Sequence, residues 1–465
     1  MIEQWTSASG VPVFFVPRRE VPIVDINIDF AAGSVFDPPG KSGLADLLAS
    51  VLLTGQKAYR AVGPYGDETL PAMREEAAEH AFDRIGAKVA ADAQADRLSV
   101  GLRALSHPVL LRHAIALTSA MLAVPSWAAR PIAREQDRLL AFAEEQLIDP
   151  EQLANLRLTQ ALYGDHPYGR LPDVESLENI TTADLRAFHR QYLTRDRAVL
   201  TIVGDLSADD AKALAEQLAL ALPATAPGAD VSTVRSKATV IDAPSVIRGA
   251  ALDAALADLR IDAGPSAKAG EQWIAHPASQ AHLLIGALTP GIGHPDYFPL
   301  MLANRMFSWM LNDTVRERLG LAYEVSSTLY ASRVGEHRIV VKTRADQARR
   351  CDQAIRDTLR AFVGDALSDQ AMLQDLYLRT RTEMVEGRDL ALDSNAKLLR
   401  QAADIGFEGL PLNRIQTWVD SVLEVRYAQA RETFARWIDP ARQVRVVVGA
   451  SEIAEEGVSR ASEAE

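Results

Sequence analysis

The chain has 465 residues, of which 48% are hydrophobic and 24% are charged, and its formal net charge is −13 at pH 7. That length is too great for one hydrophobic core, so two to four domains of ordinary globular composition are expected. The negative net charge argues against nucleic acid as a partner. Cys351 is the single cysteine, which excludes an intrachain disulfide. No apolar run reaches the roughly 18 residues of a membrane span.

Residues 1–20, MIEQWTSASGVPVFFVPRRE, lack the basic segment followed by an apolar segment that is typical of a signal peptide. A single cysteine fits a reducing compartment without requiring one. We therefore expect a cytoplasmic protein, or a periplasmic one if the chain is a mature form.

The first half opens with two strand-like runs, VPVFFV at 11–16 and VPIVDINIDF at 21–30, which are rich in β-branched and aromatic residues. Residues 42–55, SGLADLLASVLLTG, predict an amphipathic helix with Ser42 as its N-cap and Gly55 just beyond its end. Large apolar residues recur there at i, i+3, i+4, i+7 and i+8, which places them on one face. They are Leu44, Leu47, Leu48, Val51 and Leu52. The opposite face carries Asp46, Ala49, Ser50 and Leu53.

Further along, the pattern predicts a strand pair at 85–105, helical stretches at 107–122 and 131–162, a helix at 181–193 and a buried strand at 197–205. The stretch from about 222 to 270 is rich in Ala, Pro, Gly and Ser, as linkers and insertions are.

The second half repeats the order of the first, with a strand, a long helix, a strand pair, helices and a closing helix–strand unit. The closing strands end on matching segments, IVGD in the first half and VVGA in the second. We predict an α+β fold of two homologous sandwich-type domains, each with a mostly antiparallel sheet and helices. The predicted bounds are 1–225 for the first domain, 226–270 for a linker and insertion, and 271–465 for the second domain.

Residues for independent hydrolytic chemistry are missing from the sequence. His107 and His113, like His276 and His282, are six residues apart, which puts them on different faces of a helix. On a strand each pair would share a face, but it would need further ligands, and none is evident. There is no G-x-S-x-G, P-loop or G-x-G-x-x-G motif. Cys351 lies in a segment with a basic amphipathic helical pattern, and we expect it to be a small, partly buried structural residue.

Several segments, in their order and spacing, resemble the pitrilysin–insulinase family of zinc peptidases, and most closely the branch with mitochondrial processing peptidase. They are AAGSVFDPPGKSGLA, DPEQLA, HPYGRLPDVESLENITTADLRAF, RAVLTIVGD and VRERLGLAYEVSS. The resemblance covers nearly the whole chain. It implies that the two domains form half of a clamshell.

Active members of that family carry an inverted zinc motif, H-x-x-E-H, just after G-L-A. On this sequence the two histidines fall on Asp46 and Ser50, and the glutamate base falls on Ala49. The third zinc ligand falls on Phe142, although glutamates two and three residues further on compete if the alignment slips. The resemblance therefore implies a degenerate zinc motif and no metal in this chain. Without the resemblance, the pattern of residues 42–55 predicts a plain amphipathic core helix.

An arginine and a tyrosine seven residues apart reach the substrate from the C-terminal domain in this family, and Arg316 and Tyr323 match that spacing. Both side chains are donors that suit a substrate carbonyl and the oxyanion formed from it. The alternative is a purely structural role for both residues. In that case Arg316 caps carbonyl groups at its helix end, before Gly320, and Tyr323 is an aromatic at the edge of the core. Arg318 is a less favoured competitor for the arginine role.

The resemblance implies a non-catalytic subunit of a heterodimeric zinc peptidase. A homologous partner would carry the zinc, and this chain would supply Arg316 and Tyr323 to bind the peptide substrate. The alternative is an inert structural or binding protein of the same fold with no peptidase partner. A third possibility, an independent hydrolase with a relocated site, has no candidate residues.

Overall fold

The computed structural model describes residues 1–224, 250–257, 270–364 and 370–449. The strands in chain order are β1 (Glu3–Thr6), β2 (Pro12–Pro17), β3 (Ile23–Phe30), β4 (Gly55–Gln56), β5 (Tyr59–Ala61), β6 (Glu68–Leu70), β7 (Met73–Arg74), β8 (Lys88–Ala93), β9 (Leu98–Leu105), β10 (Ala198–Gly204), β11 (Gly270–Ala275), β12 (Gln280–Pro290), β13 (Glu324–Ala331), β14 (Val334–Arg344) and β15 (Val444–Gly449).

The α-helices are α1 (Leu44–Leu52), α2 (Glu75–Arg84), α3 (Pro108–Ala123), α4 (Ala129–Ile148), α5 (Pro150–Tyr163), α6 (Val174–Glu178), α7 (Thr182–Tyr192), α8 (Ala208–Leu220), α9 (Ala250–Ala257), α10 (Tyr297–Leu311), α11 (Ala348–Val363), α12 (Gln370–Glu386), α13 (Asn395–Glu408), α14 (Arg414–Leu423) and α15 (Tyr427–Trp437). A π-helical turn, Asn312–Arg318, directly continues α10.

The chain divides into two compact units that do not follow the sequence order. The first comprises Met1–Ala143, Pro172–Leu259 and Asp389–Gln416, and the second comprises the remaining segments. Each unit therefore contains a helix from the other half of the sequence, α13 in the first and α5 in the second. The predicted boundaries at 226–270 stay a prediction, because most of that stretch lies outside the described residues.

The first unit is built on a six-stranded sheet with the order β1-β2-β10-β3-β9-β8. β10 runs parallel to β2, and the other neighbours are antiparallel. One face packs through Val13, Phe15, Ile26 and Ile28 against the main helical core, to which α1 contributes. The other face receives α13, where Gly406 lies against Phe14. Because both faces of its centre are covered, β10 is apolar apart from Thr201 and is buried along its whole length.

The second unit is built on a five-stranded sheet with the order β11-β15-β12-β14-β13, in which only β11 and β15 are parallel. Leu283, Ile339 and Val447 point into a core that includes residues of α10, α11, α12 and α15. The opposite face, including Leu284 and Val446, packs on α5. The predicted α+β fold with mostly antiparallel sheets is confirmed.

The predicted elements are present with shifted ends. The helical stretch predicted at 131–162 is two helices, because Asp149 accepts a hydrogen bond from Gln152 N as the N-cap of α5 and Pro150 occupies its first position. No helix in the described ranges is long and apolar enough to cross a membrane.

Candidate functional site

Helix α1, on which the sequence resemblance places the degenerate zinc motif, is fixed at its start by a carboxylate from the preceding loop. Asp37 accepts hydrogen bonds from Gly43 N at 2.8 Å and Ala45 N at 2.9 Å. Gly43 has a φ of 96°, a left-handed conformation that glycine adopts readily. Asp37 thus satisfies amide groups of the first turn. The prediction that Ser42 is the N-cap is wrong, since the helix begins at Leu44 and no side chain of its N-cap residue bonds to it.

The three motif positions on α1 form no ligand set. Ser50 Oγ donates to the carbonyl oxygen of Asp46 at 2.9 Å and accepts a hydrogen bond from Arg138 Nη2 at 3.2 Å. Ala49 is buried and offers no polar atom. The serine that matches a histidine position is therefore bound to a guanidinium of α4.

Arg138 belongs to a chain of ion pairs that links α4 to α2. Its Nε lies 2.8 Å from Glu135, three residues earlier on the same helix. Glu135 also pairs with Arg134 at 2.9 Å, and Arg134 holds both carboxylate oxygens of Glu75 at 2.9 and 2.6 Å. The hydrogen bonds from Arg134 lower the pKa of Glu75. Exposed ion pairs of this kind contribute about 0–1 kcal/mol each to the free energy of unfolding. These ion pairs therefore orient side chains more than they stabilise the fold.

Asp46 is the one ionisable group among the motif positions. Burial raises its pKa to about 6, and the charge of Asp92 on β8 acts in the same direction, while Arg138 opposes both. Asp92 lies on an edge strand of the sheet. A carboxylate next to another carboxylate attracts protons as well as cations.

Phe142, at the predicted third position, follows Arg138 by one helical turn on α4 and is 46% exposed. The neighbouring glutamates of α4, Glu144 and Glu145, are also exposed. Across the part of the chain that the structure describes, no three His, Cys, Asp or Glu side chains come together as a candidate metal site. The residues at the motif do not fit zinc, because Asp46 supplies a single carboxylate, while a serine held by a cation, an alanine and a phenylalanine add no ligands.

The histidine pairs and the cysteine have other roles. His113 pairs with Glu68, and His276 Nε2 lies 2.7 Å from the carbonyl oxygen of Ile148. His282 is buried, and burial lowers its pKa. Burial also raises the pKa of Cys351 to about 12, which makes its thiol unreactive.

Arg316 and Tyr323 lie on either side of a chain reversal in the second unit. Arg316 is in the π-helical turn, and Gly320, with a φ of 60°, ends that turn. Tyr323 N donates to the carbonyl oxygen of Lys342 at 2.9 Å, which ties the backbone to β14 just before β13 begins. π-Helices are rare and occur mostly as single-turn bulges, which are frequent at functional sites.

Both side chains are open to solvent. The Arg316 side chain is 51% exposed, and its Nε lies 3.6 Å from the adjacent Glu317. Tyr323 is 59% exposed, so it is not an aromatic at the edge of the core. The competing Arg318 is 71% exposed and lies 3.8 Å from Asp313. The guanidinium of Arg316 and the hydroxyl of Tyr323 can therefore donate to a ligand.

Sequence reasoning missed Arg138, which contacts the motif directly. One signal was present: Glu135, Arg138 and Phe142 are spaced by three and four residues and so share a helix face. Which face of α4 meets α1 could not be read from that spacing.

The chain is similar to known proteins both in sequence and in structure. The family described as Peptidase M16 inactive domain matches residues 179–374. The uncharacterized zinc protease YmxG of Bacillus subtilis is 23% identical over 412 residues, which cover 86% of this chain and 87% of that protein. The uncharacterized zinc protease ML0855 of Mycobacterium leprae is 28% identical over 201 residues, which cover 42% of this chain and 39% of that protein. The second match spans less than half of either protein.

Solved structures are similar over nearly the full length. A peptidase M16 inactive domain from Pseudomonas fluorescens has a TM-score of 0.80 and 27% identity, covering 97% of this chain and 98% of that one. A protease from Helicobacter pylori has a TM-score of 0.75 and 15% identity, covering 96% and 99%. At 15% identity the likeness shows the fold alone.

Proposed function

Because the chain belongs to the M16 peptidase family, we propose that it is a non-catalytic subunit that acts with a homologous, zinc-bearing peptidase chain. The proposal has two parts. This chain performs no hydrolysis alone, and it contributes Arg316 and Tyr323 to peptide binding at the partner's zinc site.

The contact between Arg138 and Ser50 carries the first part. Hydrolysis at a zinc site needs neutral or anionic ligands and a carboxylate that takes a proton from water. Here the ligand position is occupied by a serine bonded to a permanent cation, and the base position is a buried alanine. Asp46 could bind a metal by itself only weakly, since a single carboxylate is not a ligand set.

The exposure of Arg316 and Tyr323 supports the second part. Neither side chain is engaged in the core, and the π-helical turn and the bond from Tyr323 N to Lys342 O fix the backbone at both positions. Donors held on a fixed backbone suit a carbonyl oxygen that gains negative charge during peptide hydrolysis, because little reorganisation is then required. A zinc site in the partner would supply the activated water.

The test is reconstitution with a chain from the same genome that carries H-x-x-E-H. Tagged protein is co-expressed with that chain, purified, and assayed against a peptide library with each subunit alone as the control. We expect a stable complex whose turnover far exceeds that of either chain alone. A partner that is equally active alone would contradict a catalytic contribution. Failure to form any complex with such a chain would favour an inert binding or structural protein.

A further inference from the structure

The second unit contains a cleft of about 470 Å³ that neither Arg316 nor Tyr323 lines. The start of β11, the C-terminal half of α11 and the loop between α15 and β15 form its walls. Clefts of roughly 300–1,000 Å³ are typical of small-molecule sites. Its charged and amide side chains are Glu271, Arg356, Arg360, Asp439, Gln443 and Arg445.

The carboxylates around this cleft already have partners. Asp352, just behind the wall, accepts from Arg445 Nη1 at 2.9 Å and from Arg356 Nε at 2.7 Å. Glu271 accepts from Arg356 Nη2 at 2.7 Å and from Trp273 Nε1 at 2.5 Å. Each of these four carboxylate oxygens is therefore engaged. Both carboxylates act as supports that hold the two guanidiniums in place.

Asp439 is likewise turned towards its own loop, where its Oδ1 accepts a hydrogen bond from Ala441 N at 2.9 Å. The cleft therefore has few acceptors left for a ligand.

The donors, by contrast, are in excess. Gln443 is 3% exposed, and its Oε1 accepts from Arg445 Nη2 at 3.0 Å, while its Nε2 has no partner among the described residues. A buried amide donor without an acceptor is unfavourable unless a ligand or water completes it. Arg360 is 60% exposed, and within the described ranges its one hydrogen bond is a long one of 3.3 Å to Asp357. A guanidinium has five N–H groups, so Arg356 and Arg360 keep donors for a further acceptor.

We propose that this cleft binds a small anion through a phosphate or carboxylate group, which accepts from Gln443 Nε2 and from the guanidiniums of Arg356, Arg360 and Arg445. Three arginines and an unpartnered amide, contributed by α11 and by the segment that leads into β15, provide the planar, forked donors that oxyanions bind. The supporting carboxylates explain how two buried or half-buried guanidiniums are tolerated there. The site is independent of Arg316 and Tyr323, and it stands or falls apart from the proposed function.

The experiment measures binding to the whole chain by isothermal titration calorimetry and by thermal unfolding. The probes are inorganic phosphate, adenosine monophosphate and citrate, each compared with chloride at equal ionic strength. We expect at least one probe to bind with saturable heat and to raise the melting temperature more than chloride does. A response to the phosphates alone identifies a phosphate ligand, and a response to citrate alone identifies a carboxylate ligand. No saturable binding by any probe would overturn the proposal.

Two variants test the location. Arg360→Gln removes an exposed charge, so the fold should persist, and it should weaken binding at least tenfold. Gln443→Glu keeps the acceptor for Arg445 and replaces the free donor with a carboxylate oxygen, so it should abolish binding. Arg157→Gln, an exposed arginine of α5 outside the cleft, is the matched control and should bind like the parent. Equal binding by all three variants would mean an adventitious ion only, and the proposal would fail. If Gln443→Glu does not fold, Arg360→Gln and its control still decide.

Discussion

Arg138 Nη2 lies 3.2 Å from Ser50 Oγ, although 88 residues separate the two in the chain. The bond joins α4 to the residue of α1 on which the family resemblance places a zinc-ligand histidine. A guanidinium cannot be deprotonated in a protein, so Arg138 adds a permanent cation beside Ser50, which is partly balanced by its ion pair with Glu135 at 2.8 Å and by the nearby Asp46. We infer that this cation disfavours zinc here in addition to the scarcity of ligands.

Asp46→Asn should raise stability at neutral pH and have no effect in acid. Burial raises the pKa of Asp46 to about 6 in the folded chain, whereas an unfolded aspartate ionises near pH 4. Between about pH 4 and pH 6 the folded state binds more protons than the unfolded state, so stability falls as pH rises through that window. The loss is at most about 3 kcal/mol.

Thermal unfolding at pH 4, 5.5 and 7.5 checks this prediction. We expect the variant to be about 1–3 kcal/mol more stable than the parent at pH 7.5 and equal to it at pH 4. Asp83→Asn, at an exposed carboxylate of α2, is the control. A variant that loses stability at pH 7.5 would show that ionised Asp46 is a stabilising group.

The unmodified chain should retain no stoichiometric zinc after dialysis and should cleave no peptide by itself. Asp46 is the only ionisable side chain among the four motif positions, and the other three provide neither ligands nor a base. Elemental analysis that finds about one zinc per chain would contradict this expectation, and so would peptide cleavage that a chelator abolishes.

Rebuilding the site should require removal of the cation. Asp46→His, Ala49→Glu and Ser50→His together should bind zinc weakly, and Phe142→Glu should tighten binding by supplying a third ligand. Adding Arg138→Gln should improve affinity by about tenfold or more, since a unit charge a few ångströms away costs about 1–4 kcal/mol at surface-like screening. Competition titration against a zinc-binding dye measures each step.

Arg134→Gln is the control for that series, because its guanidinium pairs with Glu75 and Glu135 and makes no bond to Ser50. If the triple change on α1 already binds zinc at full strength, the placement of the third ligand at Phe142 is wrong. If Arg138→Gln has no more effect than the control, the arginine does not exclude the metal.

Local sequence patterns correctly predicted those features of the fold that depend on residues close together in the chain. The apolar spacing of residues 44–52 correctly gave the buried face of α1, and Gly320 correctly marked the end of the helical segment that carries Arg316. The prediction missed the break between α4 and α5. The sequence signals it, because Asp149 followed by Pro150 is a strong helix-start signal.

Long-range placements could not be predicted in this way. The cap of α1 comes from Asp37, several residues before the helix, and its choice over Ser42 depends on the turn at Gly43. Periodicity shows that α13 has an apolar face, but it does not show which sheet covers that face. The contact between Arg138 and Ser50 needs the packing of two helices that are far apart in sequence.

Gly406→Ala should destabilise the first unit. A Cβ at that position would lie 2.7 Å from the ring of Phe14 and 3.0 Å from Val199 Cγ1. The ring is fully buried and cannot move aside easily. Alanine favours a helix over glycine by about 1 kcal/mol, but overpacking costs roughly 1–3 kcal/mol, so we expect a net loss measurable by urea unfolding.

A double-mutant cycle with Phe14→Leu tests the cause of that loss. Leucine removes ring atoms, so the pair Phe14→Leu and Gly406→Ala should be more stable than the sum of the two single changes predicts. Additive effects would mean that the cost arises elsewhere in α13. A stabilising Gly406→Ala would contradict the close packing of this helix on β2.

Arg316 and Tyr323 should affect turnover by the reconstituted complex without affecting its assembly. Tyr323→Phe removes only a hydroxyl from a side chain that is 59% exposed, so folding should be unchanged. Arg316→Ala removes a half-exposed charge and should cost less than about 1 kcal/mol. Loss of one donor to a developing oxyanion typically lowers turnover by about a hundred- to a thousandfold, and we expect that range for each variant.

The measurement is kcat for a peptide substrate, after gel filtration has shown that each variant still forms the complex. Arg318→Ala is the matched control, because Arg318 lies in the same π-helical turn, is more exposed than Arg316 and pairs with Asp313. If Arg318→Ala is the damaging change and Arg316→Ala is silent, shared catalysis stands but the seven-residue spacing is wrong. If all three variants assemble and cleave at the parent rate, this chain contributes no donor to the reaction, and its part in the complex is structural.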